Sequence, residues 1–305
     1  MKMIISYIKQ YVSELDKRVL SIVTLFTAAL IFINYHFKLD DTIYSHGSFI
    51  YSFVCRYFIF LVAFATPYIV YRIFKKKQYS SKPAFIFLLL LAPAIYSFKM
   101  ALRISFGLSG NYNWNNYWNH IIYWPLLVLI TASLLFITWK FFNSDQPFYG
   151  IKTKGVTWKP YFLMLLIMVP LIAAASTQPD FLAMYPKIQS IHGLDNEPGV
   201  QWWHKLLFEL SYGSDFITIE LFFRGFLVLA FMKWAGRDAI LPMACFYCTI
   251  HFGKPLGECI SSYFGGMLLG IVVSNTRSIF GGLIVHLGIA WLMELGGYIG
   301  AIIIK

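Results

Sequence analysis

Ile217-Thr-Ile-Glu220-Leu-Phe-Phe-Arg224-Gly225-Phe-Leu-Val-Leu-Ala230 sets a carboxylate and a guanidinium inside a stretch that otherwise reads as a membrane-spanning helix. A charged side chain at the bilayer centre costs at least about 2.5 kcal/mol, so it faces a partner, a wet cavity or a reaction. His251 and His286 fall inside later apolar stretches in the same way. Four ionisable residues within Ile217–Gly297 therefore point to a site built between helices.

Composition supports the membrane reading. The chain has 305 residues, of which 58% are hydrophobic, 19% aromatic and 13% charged, against about 25% charged for a soluble domain. Apolar residues arrive in blocks rather than in a one-sided 3.6 period, the mark of lipid-facing helices. The expected fold is all-α, a polytopic transmembrane helix bundle of eight or nine spans. With about 20 apolar residues per span, these fall near Leu20–Phe37, Phe49–Phe74, Pro83–Phe98, His120–Phe142, Tyr161–Ser176, Leu206–Trp234, Ile240–Phe252, Ile260–Ser274 and Ile279–Ile304. The third, fifth, seventh and eighth are short, so they extend into the loops or do not cross fully. Residues 1–204 read as an N-terminal transmembrane scaffold with outside loops, and residues 205–305 as the helix core that carries the chemistry. No cleaved signal peptide is expected, because no short apolar region with a small-residue cleavage site follows the start.

The net charge of +11 does not indicate nucleic acid, because the basic residues sit at helix ends, as in Arg72-Ile-Phe-Lys75-Lys76-Lys77. There they meet anionic head groups and set orientation. With the N-terminus cytoplasmic, the inside stretches hold Lys2, Lys9, Lys17, Arg18, Arg72, Lys75, Lys76, Lys77, Lys82, Lys140, Lys152, Lys154, Lys159, Lys233, Arg237 and Arg277. The outside stretches hold only Lys38, Lys99, Arg103, Lys187, Lys205, Lys254 and Lys305. This asymmetry predicts nine spans with the N-terminus inside.

Several features read as scaffold. Asn111-Tyr-Asn-Trp-Asn-Asn-Tyr-Trp-Asn119 alternates amides with aromatics, as an interfacial belt does, with carbohydrate stacking as the sharper alternative. The Thr177–His204 loop has the length to cap a site. Arg56 has no acidic residue within a turn or two, so it snorkels or pairs with another helix. Cys245-Phe-Tyr-Cys248 has the spacing of a redox or metal pair, but in an apolar helix it reads as inert buried thiols, like Cys55 and Cys259.

The core carries the chemistry. Glu220 and Arg224 at i and i+4 share a helix face, which also suits an ion pair that only positions helices. His251, in Tyr247-Cys-Thr-Ile-His251-Phe-Gly-Lys-Pro255, sits at a break made by Gly253 and Pro255. Glu258 follows within plausible reach of it. Gly266 and Gly270 form a small-residue packing face, and Gly281, Gly282 and Gly288 allow close packing around His286.

Taken together, over about Leu206–Gly297, these residues resemble the CPBP family of intramembrane proteases, also called the CAAX-protease or ABI family. That family shows Glu-Glu-x-x-x-Arg, then Phe-x-x-x-His, then His-x-x-x-Asn on successive motif helices. Glu220, Arg224, His251 and His286 match in order and spacing. Ile219 stands at the first Glu, the residue thought to activate water; Tyr247 replaces the Phe; Ala290 replaces the Asn, an oxyanion partner. The resemblance implies an intramembrane endopeptidase that hydrolyses a peptide bond of a membrane-associated protein or peptide. Prenylated substrates are implied only by the eukaryotic branch; a bacterial member implies peptide maturation or self-protection against bacteriocins.

The resemblance implies Glu220, Arg224, His251 and His286 as catalytic candidates; the base role left by Ile219 falls to Glu220 or to Glu258 on the break after His251, which completes the candidate set. His251 and His286 would donate to the oxyanion. Alternatively His251, His286 and Glu220 would hold Zn²⁺; a glutamate-type mechanism needs no cofactor. The departures also fit a catalytically inactive relative that acts as a membrane scaffold or peptide-binding protein. The expected location is an integral position in a bacterial plasma membrane.

Overall fold

Hydrocarbon offers no hydrogen bonds, so an apolar chain within it must satisfy its backbone inside its own helices. The computed structural model describes residues 2–75, Tyr79, 82–153 and 156–303, and among these it is helical with no strand. Lys76, Lys77, Lys154 and Lys305 of the charge asymmetry, and Ile304 at the end of the ninth expected span, lie outside the described residues.

The helices are α1 (Lys2–Glu14), α2 (Lys17–Phe37), α3 (Leu39–Ser45), α4 (Phe49–Lys75), α5 (Pro83–Ala101), α6 (Tyr112–Phe142), α7 (Lys159–Ala175), α8 (Pro179–Met184) and α9 (Trp202–Ile219). After a π-helix over Glu220–Ala230 come α10 (Met232–Ala235), α11 (Ile240–Thr249), α12 (Leu256–Thr276) and α13 (Phe280–Ile303). Among the described residues, α2, α4, α5, α6, α12 and α13 are long and apolar enough to cross a membrane. The polytopic helical fold is thus as expected.

The other three expected spans take different forms. α7 has 17 residues. The sixth expected span is α9 continued by the π-helix. α11 has ten residues, about 15 Å of helix, half of a bilayer core of about 30 Å. It stops because Gly253 and Pro255 follow.

Packing divides the chain into two units, one of residues 1–102, 134–156 and 221–279, the other of residues 103–133, 157–220 and 280–305. In the first, α4 packs on α5 and α11, and α11 on α12. Its core is aromatic: Phe60 meets Phe246 at 4.8 Å, Phe64 meets Phe231 at 5.1 Å, and Tyr96 meets Phe222 and Phe223 at 4.9 Å each. Residues 221–231 and all of α11 are buried. For these two segments the apolar block reflects enclosure by protein rather than lipid, the other cause of a helix apolar all round.

Two contacts fix this unit locally. Arg56, 5% exposed, pairs with Asp40 of α3 at 3.1 Å, so it binds a connecting helix rather than snorkelling. Burial pushes the Asp40 carboxyl up from its ordinary value, while the Arg56 guanidinium pulls the other way. Gly225 lies against Tyr149, whose carbonyl oxygen would be 2.6 Å from an added Cβ.

In the second unit α13 packs on α7, α8 and α9. A Cβ at Gly281 would meet the Tyr161 ring, and one at Gly288 would meet Leu165, so these glycines do serve close helix approach. The 177–204 loop is ordered by α8 and short 3₁₀ turns, and its Ile188, Ile191 and Leu194 form a cluster with Tyr117 and Phe208. Asn111 and Asn113 donate to Glu197 at 2.9 and 2.7 Å, while Asn111 also caps α6. The amides of the aromatic belt therefore tie its backbone to that loop.

Two stability outcomes follow. Gly225→Ala should destabilise by about 1–3 kcal/mol through overpacking against backbone, read as a lower Tm in detergent. Gly257→Ala, where an added Cβ meets nothing within 4 Å, should not lower it. Arg56→Ala should cost about 1–3 kcal/mol by leaving the half-buried Asp40 carboxylate without its guanidinium; adding Asp40→Ala should recover part of that loss in a double-mutant cycle.

Candidate functional site

In the second unit, α9 ends at Ile219 and Glu220 opens the π-helix, whose N–H groups reach back five residues instead of four. Insertions of this type often mark functional sites. Glu220 has no exposed surface, and its Oε1 lies 2.9 Å from His286 Nδ1 on α13. A carboxylate accepts, so Nδ1 carries the hydrogen and Nε2 of the neutral ring carries the lone pair. Phe216 meets the His286 ring edge-on at 4.7 Å and helps set its plane. Gly282, one turn before His286, leaves the space that Glu220 Oε2 occupies; an added Cβ would run into that oxygen.

In the first unit, Arg224 has no exposed surface, and its guanidinium stacks over the Tyr247 ring at 4.2 Å, a cation–π contact that strengthens away from water. Tyr247 is itself pressed against Gly266, whose missing side chain makes room for the ring. Its carbonyl accepts from His251 Nδ1 at 2.9 Å, and the two rings meet edge-on at 4.7 Å. Nε2 is therefore the lone-pair nitrogen of a neutral His251 as well. Glu258 pairs with Lys254 at 3.4 Å across the break that follows His251.

The candidates thus gather as Glu220 with His286 in one unit, and as Arg224, Tyr247 and His251 in the other, with Glu258 held by Lys254. The helix spacing predicted an α-helical turn between Glu220 and Arg224; the turn is π-helical, which the 3.6 period does not reveal. A zinc ion would need three protein ligands at about 2.0–2.2 Å. Among the described residues no group of three His, Cys, Asp or Glu stands close enough to hold a metal ion. Glu220 and His286 form a pair of donors, not such a set. The C-x-x-C residues do not pair with each other: Cys245 accepts from the Thr27 hydroxyl, while Cys248 meets Cys259.

Phe216 and Asp215 were not singled out by the motifs. Asp215 lies one turn before Ile219 on α9, and its carboxylate accepts from the Thr218 hydroxyl at 2.7 Å. It is the acidic residue nearest in sequence, on that side, to the position where the family has its first Glu. The one signal for it was an isolated Asp in an apolar helix. Phe216 gave none.

Comparison with known proteins agrees with the motifs. Residues 202–292 match the family model described as type II CAAX prenyl endopeptidase, Rce1-like. Neither a curated protein nor a solved structure matches the chain. The matched segment contains Glu220, Arg224, His251, Glu258 and His286, and over residues 202–292 the chain is similar to the CAAX-protease family.

Proposed function

We propose that the protein is an intramembrane endopeptidase of the CAAX-protease type, which hydrolyses a peptide bond in a membrane-associated protein or peptide. The observation that carries this reading is the hydrogen bond from His286 to the fully buried Glu220. A carboxylate that holds Nδ1–H orients the imidazole and stabilises its cation, as the third member of a nucleophile–base–orienter set does. His286 Nε2 takes a proton from water as the water attacks the scissile carbonyl. The imidazolium, neutralised by Glu220, then returns that proton to the leaving amine nitrogen.

In this reading the base is the imidazole and Glu220 is its orienting residue, so the work expected of the first motif Glu passes to the pair. Glu258 is the alternative base. No metal is invoked. The bias of Lys and Arg supports an N-terminus on the cytoplasmic side, and the membrane is read as a bacterial plasma membrane.

Ile219 and Ala290 favour a second reading, an inactive relative that holds a partner peptide. Protein termini in membranes that express wild type, His286→Ala or Glu220→Gln decide between the two. The protease reading expects termini present only with wild type, and a fall of at least about 100-fold in their yield in either variant. Identical termini at equal expression would move the scaffold reading ahead. Gly282→Ala should also suppress cleavage by displacing Glu220 from His286. It should do so with wild-type abundance in the membrane, which separates it from a folding defect.

A further inference from the structure

Cys248 and Cys259 stand on either side of the break that carries His251. Cys248 lies in the last turn of α11 and Cys259 in the first turn of α12. Their sulfurs are 3.8 Å apart, and the Cys248 thiol lies 3.3 Å from the Cys259 carbonyl while the Cys259 thiol lies 3.7 Å from the Cys248 carbonyl. Both are free thiols with no exposed surface. A disulfide needs a sulfur separation of about 2.05 Å, so closure asks each sulfur to move by less than about 1 Å. Side-chain rotation supplies a movement of that size. Cys245, by contrast, is turned toward Thr27 at 3.3 Å.

We propose that Cys248 and Cys259 form an oxidisable dithiol, a modification site that clips the end of α11 to the start of α12 and immobilises the His251 break. The oxidant is a small uncharged peroxide, which crosses lipid. One thiol gives up its proton and, as thiolate, attacks hydrogen peroxide to form a sulfenic acid; the hydroxide that leaves takes up the proton as water. The second thiol then attacks the sulfenic sulfur, and a second water leaves as the disulfide forms. Two thiols and one peroxide thus give one disulfide and two waters. Gly253, Leu256 and Gly257 are exposed at the break between the two cysteines.

The test is a thiol count on the full-length protein in native membranes, treated with hydrogen peroxide or with reductant, then denatured and labelled with a maleimide polymer. Of the four cysteines, wild type should lose two labels on oxidation and regain them on reduction. Cys245→Ser should still lose two, whereas Cys248→Ser and Cys259→Ser should lose none. Mass spectrometry of oxidised wild type should find the two residues' peptides joined and lighter by two hydrogens, which needs no variant to fold. A Cys245–Cys248 peptide, or four labels retained under peroxide, would overturn the proposal.

Discussion

Glu220 has no exposed surface, and a carboxylate so placed must be hydrogen-bonded or forfeit several kcal/mol. That requirement organises the second unit. It calls for a donor, which His286 supplies from α13. It also calls for space, which Gly282 supplies one turn earlier on the same helix. Gly281 and Gly288 let α7 approach closely enough to hold that helix in place. The register of α13 is thus set by glycine contacts on both sides of the polar bond at His286.

The first unit meets the same constraint with different chemistry. Arg224 is as fully buried as Glu220, and an aromatic face at 4.2 Å covers its guanidinium. Tyr247 also binds His251 through its own carbonyl, so one residue positions two ionisable side chains. The family's Phe at this place would keep the ring and the backbone carbonyl, which is why the exchange to Tyr leaves this arrangement intact. The aromatic core around Phe222, Phe223 and Phe246 keeps the π-helix and α11 in register with each other.

Much of this was legible in the sequence because membranes impose strong compositional rules. Apolar blocks marked the spans, and isolated ionisable residues marked the candidate side chains. The same rules could not tell lipid from protein as the cause of an apolar helix, so α11 read as a span although it is a ten-residue buried helix. Helix spacing linked Glu220 to Arg224 but carried no information on His286, 66 residues away. Nor could it reveal a π-helix, since hydrophobic period is lost in a segment buried on every side. The cysteines show the same limit: C-x-x-C spacing drew attention to Cys245 and Cys248, whereas the close contact joins Cys248 to Cys259 across a break.

The two departures from the family's motifs carry unequal weight. In the proposed mechanism a base held in an imidazole needs one orienting carboxylate, and Glu220 would meet that need without a second acid at Ile219. An oxyanion donor is different: it acts directly on the charge that develops, and loss of one donor commonly lowers turnover by about 10²–10³. Ala290 lies one turn beyond His286 and is buried, yet its methyl group offers no hydrogen bond. With the base pair kept and this donor lost, a proteolytic reading leads to slow turnover on a substrate held for a long time. Slow turnover and peptide retention are then two ends of one scale, and the Ala290 position is where the proposed active and inactive readings of this chain diverge.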